Sequence, residues 1–119
     1  MLRIIILSLI MKSKKTIYSY LWEFQTKKGC ERRFEKNYGP TGEWVKLFRQ
    51  ARGYIRTELH RDIDNRGRYI TIDYWSSNKA YDSFREQWKK EFNILDKRCE
   101  SLMKNEISLG SFHHKDVLA

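Results

Sequence analysis

The feature that most constrains the fold is an alternating run of aromatic residues early in the chain. The segment IYSYLWEF, residues 17–24, places Tyr18, Tyr20, Trp22 and Phe24 at every second position. Alternate side chains of a β-strand point to the same face, so this spacing predicts a strand with four rings on one side. Such a row suits a buried core, the wall of a small-molecule pocket, or a platform on which nucleic-acid bases stack.

Helical spacing follows this strand. Cys30, Phe34 and Tyr38 are four residues apart and predict one face of a helix. The sequence GPTG at 39–42 ends that helix, and Thr41 is a candidate cap for a short helix after it. Apolar residues at helical spacing return over residues 81–103, with a possible kink at 89–91, and the serines and asparagine at 76–78 supply an N-cap.

Three further segments have strand character. Residues 54–61 and 68–75 flank the turn sequence DNRG at 64–67, which predicts a hairpin, and residues 106–112 form a final strand. The resulting order is βαββαβ. It predicts an α+β, ferredoxin-like domain in which a four-stranded antiparallel sheet carries helices on one face.

The 119 residues suffice for one domain with a real core. We expect the domain to span residues 17–113, between an N-terminal extension at 1–16 and a tail at 114–119. Residues 2–10 are almost wholly apolar, but the run is too short to cross a bilayer and lacks a signal-peptide cleavage site. It is an upstream extension with Met11 as the true start, an extra strand, or an apolar tail.

The net charge of +9 points towards an anionic partner, but most basic residues are scattered doublets with acidic neighbours. This pattern favours a solvated basic surface over a polyanion groove, and we expect neither nucleic acid nor membrane as a partner. Two cysteines without a secretory signal indicate a reducing, cytoplasmic location. The three histidines do not have metal-ligand spacing.

The predicted hairpin carries a pair of acidic residues. If the 64–67 turn places Ile63 opposite Arg68, the apolar sets of both strands share one face, and Glu58 lies opposite Asp73. Facing carboxylates repel unless a proton or cation offsets them. The functional interpretation is an acid, base or ion site beside Trp75; the structural interpretation is two carboxylates paired with arginines.

The RNA-recognition motif shares the βαββαβ order and stacks bases on aromatics of its first and third strands. Here the third strand reads RGRYITID over residues 66–73, so Arg68 and Ile70 replace stacking aromatics and Asp73 adds a negative charge. This pattern argues against RNA binding.

Another family fits better. The segments FEKNYGPTGEW (34–44), GYIRTEL (53–59), YITIDYW (69–75) and YDSF (81–84) resemble the antibiotic biosynthesis monooxygenase (ABM) superfamily over residues 17–112. The resemblance implies a dimeric α/β barrel, a homodimer in which two sheets pack against each other. Any ligand pocket would then lie between the sheet and the helices of each subunit, and the first-strand aromatics would be core or pocket wall.

The resemblance also implies site residues. Haem-degrading members use an Asn on the first strand, a Trp ending the third and a His on the next helix; Trp75 matches, but Trp22 and Arg85 occupy the other places. We therefore expect no haem, no other cofactor and no metal. Similarity to the cofactor-free oxygenases implies Trp75, Tyr81 and Arg85 as catalytic residues, with Arg85 stabilising an enolate or phenolate. The residues expected to bind the substrate are Tyr20, Trp22, Glu58 and Asp73.

Two functions remain open at this point. One is a small monooxygenase that acts on an aromatic or quinone-type molecule without a cofactor. The other is a non-catalytic dimeric binding or structural module on the same fold, since a fold does not fix its chemistry.

Overall fold

The computed structural model describes residues 16–115, which contain four strands and four helices. The elements are β1 (Tyr18–Thr26), α1 (Glu31–Tyr38), α2 (Glu43–Phe48), β2 (Tyr54–Arg61), β3 (Arg68–Trp75), α3 (Asn78–Gln87), α4 (Lys89–Cys99) and β4 (Met103–His113), with a 3-10 turn at Glu100–Leu102. The predicted extension and the end of the predicted tail lie outside the described residues.

The strands form one antiparallel sheet in the order β2-β3-β1-β4. The central position of β1 and β3 and the position of the helices on one face confirm the ferredoxin-like prediction. β4 starts three residues earlier than the sequence indicates, because the 3-10 turn ends at Leu102 and Met103 is already buried against the core.

The aromatic row of β1 faces the helices. Tyr18 pairs with Trp75 and Phe24 with Tyr69 across the β1–β3 ladder, and all four side chains are buried. Phe34 of α1 packs on Phe24 and Tyr69, with ring centroids 5.2 Å and 4.7 Å away. Burial of such side chains stabilises a fold by about 1.5–3 kcal/mol each. The rings are therefore core or pocket wall, as predicted, and they do not form a platform on the open face.

The predicted register of the β2–β3 hairpin is wrong by one residue. Asp73 lies opposite Thr57, and Glu58 lies opposite Ile72, so the two carboxylates point to opposite faces of the sheet. The cause is the turn, where the Asp62 carboxylate accepts the backbone N–H groups of Asp64 and Asn65 at 2.8 Å and 3.1 Å. This capture widens the loop by one residue.

The helix ends follow their sequence signals in part. Ser77 caps α3, because its Oγ accepts the backbone N–H of Ala80 at 3.0 Å. The predicted kink is a full break at Trp88, which ends α3 and begins α4. Thr41 is not a cap: Gly42 occupies that position of α2, and no side chain bonds there.

Gly53 allows the loop before β2 to lie close against the start of α3. Its φ is +89°, and a Cβ atom at this position would lie 2.6 Å from both Ala80 Cβ and Ser76 Oγ. Any other residue would therefore combine backbone strain with a clash.

The second face of the sheet carries no helix among the described residues. Ile107 pairs with Glu23, and Phe112 with Ser19, on the side away from the aromatic row. Their side chains are 49% and 50% exposed. Together with the neighbouring half-buried residues they form what we call the open-face patch: Leu21, Ile70, Ile72, Ile107 and Phe112.

Candidate active site

A cavity of about 220 Å³ lies between the sheet and the helices. Seven of its lining residues are aromatic: Trp22, Phe24, Tyr38, Trp44, Phe48, Tyr81 and Phe92. Six are polar or charged: Thr57, Thr71, Asp73, Arg85, Asp96 and Glu106. A cavity lined by aromatic rings, with polar groups at defined points of its wall, is typical of a small-molecule site.

The β2–β3 hairpin directs the carboxyl of Asp73 into the cavity. Asp73 lies two residues from each of the buried residues Thr71 and Trp75 along β3, so its side chain is on the same face of the sheet, towards the helices. Thr57 Oγ1 donates a hydrogen bond to Asp73 Oδ1 at 2.7 Å. Since Thr57 has one hydroxyl hydrogen, the 2.9 Å contact with the Tyr54 hydroxyl must run from Tyr54 to Thr57.

The surroundings of Asp73 bring the pKa of its carboxyl close to neutral pH. Burial raises the pKa of Asp73 from 3.8 to about 7, and the hydrogen bond from Thr57 opposes this rise. A group with this pKa exchanges a proton readily at neutral pH, which is the requirement for a general base. Within the described residues no Lys or Arg forms a salt bridge with it.

Arg85 and Tyr81 of α3 form a second polar unit at the cavity wall. Arg85 Nη1 donates to the Tyr81 hydroxyl at 3.2 Å, and its guanidinium lies 3.8 Å from the centroid of Phe92 on α4. The ring contact and the hydrogen bond hold the long arginine side chain in one orientation. Burial raises the pKa of Tyr81, so its hydroxyl stays protonated at neutral pH.

Two predicted residues of β1 lie at one side of the cavity. Trp22 lines it directly, and Tyr20 stacks on Trp22 with centroids 5.6 Å apart and planes 11° from parallel. Tyr20 also contacts Tyr81 at 5.3 Å, so it supports the wall from behind.

Trp75 lies outside the cavity lining. It is fully buried between Phe48, Tyr54, Tyr81 and Phe84, with ring centroids 5.1–5.7 Å away. Its indole N–H has no hydrogen-bond partner among the described residues. These contacts are those of a core residue, and its catalytic role stays a prediction.

Glu58 lies on the open face, away from the cavity. Its carboxylate contacts Arg56 Nη2 at 2.8 Å and His60 Nε2 at 3.1 Å, and these partners, the His60 hydrogen bond foremost, lower its pKa. The structural interpretation of this carboxylate, an ion-paired surface group, therefore fits its position.

Sequence reasoning missed several wall residues. Trp44 and Phe48 have a helical apolar signal but nothing that distinguishes a cavity wall from a core. Asp96 and Glu106 belong to different elements, α4 and β4, so no local motif could join them. Among residues 16–115, no three His, Cys, Asp or Glu side chains are arranged to hold a metal ion, and no helix is long and apolar enough to span a membrane.

Comparison with known proteins assigns the family. The model of the family "Antibiotic biosynthesis monooxygenase" (ABM) matches residues 18–88, more than half of the chain. The chain therefore belongs to the ABM family. A search of curated proteins found no match.

Solved structures show the same fold. A mutant of SnoaB, a cofactor-independent oxygenase from Streptomyces nogalater, has a TM-score of 0.72 and 19% identity over 87% of this chain and 97% of its own. A Bordetella bronchiseptica protein that carries the family name has a TM-score of 0.68 and 22% identity, over 87% and 100% of the two chains. PA3566 from Pseudomonas aeruginosa has a TM-score of 0.62 and 15% identity, over 85% and 96%.

Proposed function

We propose that this protein is a cofactor-independent monooxygenase that acts on a small aromatic or quinone-type molecule in the cavity. The observation that carries the proposal is Asp73, a carboxyl with a pKa of about 7 that lines a cavity walled by aromatic rings. Family membership and the fold of SnoaB support the reaction class.

The proposed reaction begins with a base that removes a proton from the phenol. The Asp73 carboxylate removes the proton of a phenolic hydroxyl, and the phenolate gives one electron to dioxygen. The phenoxyl radical and superoxide combine at the para carbon, which forms a C–O bond. Asp73 returns its proton to the peroxide oxygen. The para C–H proton then leaves as the O–O bond breaks, the para carbon becomes a carbonyl, and the released hydroxide takes up that proton as water. One phenol and one dioxygen thus yield one para-quinone and one water.

Arg85 and Tyr81 stabilise the negative charge that develops in this sequence. A guanidinium and a hydroxyl held in place before reaction lower the free energy of an anionic intermediate without reorganising. Trp22 contributes ring contacts that orient the substrate.

We also propose that the protein works as a homodimer, as the resemblance implies. The open-face patch presents apolar side chains to solvent on the face that lacks helices. Apolar patches of this kind mark association surfaces. The same apolar patch on a second copy of the chain would cover it, so that the two sheets pack face to face.

Oxygen consumption tests the enzymatic proposal. With 1-naphthol and a set of phenols that carry hydrogen at the para carbon, corrected for autoxidation, we expect uptake whose rate rises with pH through about 7 as Asp73 ionises. Asp73→Asn should lower kcat by roughly 10²–10⁴-fold, the usual contribution of a general base. Glu86→Gln, an exposed carboxylate variant on α3, is the matched control. Binding without any oxygen uptake would overturn the enzymatic proposal in favour of a non-catalytic binding module.

A further inference from the structure

The charge of the cavity is opposite to the charge of the chain. The protein carries a formal +9, yet the charged residues that line the cavity are three carboxylates and one guanidinium. The three acids come from separate elements, Asp73 from β3, Asp96 from α4 and Glu106 from β4. A basic protein thus has an acidic binding cavity.

No salt bridge within residues 16–115 pairs these three acids with a Lys or Arg side chain. Arg85, the one basic lining residue, is engaged with Tyr81 and the ring of Phe92. Burial raises the pKa of Glu106, and the nearby charges of Asp96 and Glu100 raise it further.

The rings around the cavity add to the same preference. The faces of Trp, Tyr and Phe are electron-rich and attract cations, and rings that surround a pocket are a known means of binding ammonium groups. The ring centroids of Trp44 and Phe92 are 4.9 Å apart with planes at 65°, and both rings line the cavity that Asp96 and Glu106 line.

The acids divide the cavity into two ends. Asp73 lies across the ladder from Tyr20, whereas Glu106 lies across from Phe24 on the other side of β1. Four residues of strand separate the two levels, about 13 Å along β1. A ligand that uses both ends needs an acidic hydroxyl at one and a positive charge at the other.

The volume limits the size of that ligand. A cavity of about 150 Å³ holds one benzene molecule. A volume of about 220 Å³ therefore accommodates one aromatic ring with a short substituent, or two fused rings.

We propose that the cavity selects a small phenol or catechol that carries a protonated amine. The phenolic ring lies towards Asp73, and the ammonium group lies among Asp96, Glu106 and the neighbouring rings. This inference rests on the proposed function for the identity of the phenolic end, and it adds the cationic end and the size limit.

Anaerobic binding tests the inference without turnover. The probes are three catechols of the same ring size: dopamine, neutral 4-methylcatechol and anionic 3,4-dihydroxyphenylacetate, titrated by calorimetry at neutral pH. We expect dopamine to bind roughly tenfold more tightly than 4-methylcatechol, and the anion to bind most weakly, since each partly exposed ion pair contributes up to about fivefold.

Variants identify the source of the preference. Asp96→Asn with Glu106→Gln should reduce dopamine binding to the level of 4-methylcatechol while leaving the neutral probe unchanged, and Glu106→Gln alone should give an intermediate value. Glu91→Gln, on the exposed surface of α4, should retain the full preference.

Equal affinities for the neutral and cationic probes, a preference that survives the double variant, or no binding of any probe would each overturn the inference. Selective dopamine binding without oxygen uptake would leave the inference standing and would contradict the proposed function. Oxygen uptake together with equal affinities for all three probes would support the proposed function and would contradict the inference.

Discussion

At the scale of single residues, Asp73 shows how a site is created by burial. In the sequence it is one of 15 acidic residues, and the alternation of β3 places it on the same face as Thr71 and Trp75. Its role as a site residue stays a prediction, and the structure places it at the cavity beside a neighbour that the sequence did not indicate. The expected partner was Glu58, whereas the structure provides Thr57, a hydroxyl that donates to the carboxyl.

Asp73 should also make stability depend on pH. Between about pH 4 and 7 the folded protein keeps a proton that the unfolded chain has lost, because the folded pKa is about 7 and the ordinary value is 3.8. This group's contribution is therefore most favourable at low pH and is lost as the pH rises through 7. The Asp73→Asn variant has no carboxyl to ionise and escapes this loss. Its free energy of unfolding, relative to that of the wild type, should therefore rise from pH 4 to pH 8 by up to about 4 kcal/mol.

Urea unfolding at several pH values, followed by tryptophan fluorescence, measures this difference. Asp82→Asn on the exposed surface of α3 is the control, since water solvates that carboxylate in both states. An advantage of Asp73→Asn that is the same at pH 4 and pH 8 would show that Asp73 ionises as easily in the folded protein as in the unfolded chain.

At the scale of elements, the sequence predicted which helices and strands exist, and their order, better than it predicted the contacts between them. The bounds of β2 and β3 agree with their alternation, and α1 agrees with the four-residue spacing from Cys30 to Tyr38. Period and turn composition are local properties, so they can be read from a single segment. The meeting of Asp96 with Glu106 depends on how α4 packs on β4, which no local pattern encodes.

The cap of α3 is a testable local element. Ser77→Ala removes the acceptor for the Ala80 N–H and should lower the free energy of unfolding by about 0.5–2 kcal/mol. Ser83→Ala, an exposed serine within the same helix, provides the comparison and should change stability little, because alanine favours helix. Equal midpoints in urea for the two variants would show that the cap is dispensable.

At the scale of the whole molecule, the open-face patch predicts association. Ile107→Asp places a charge in the surface proposed to meet the partner sheet, so sedimentation velocity should show the homodimer dissociating at micromolar concentrations. Ile94→Asp, at a similarly exposed isoleucine on α4, should leave the sedimentation coefficient unchanged. A wild-type protein that sediments as a single subunit would contradict the dimer.

The turn between β2 and β3 determines which side chains of β2 face the cavity. Asp62 fixes the phase of the hairpin from well outside the cavity, through two backbone N–H groups. A mutation there that tightened the loop by one residue would turn Glu58 inward against Asp73 and would send Thr57 out to water. A single mutation in this distant turn could thus change which side chains face the interior, although every residue of the cavity wall keeps its identity.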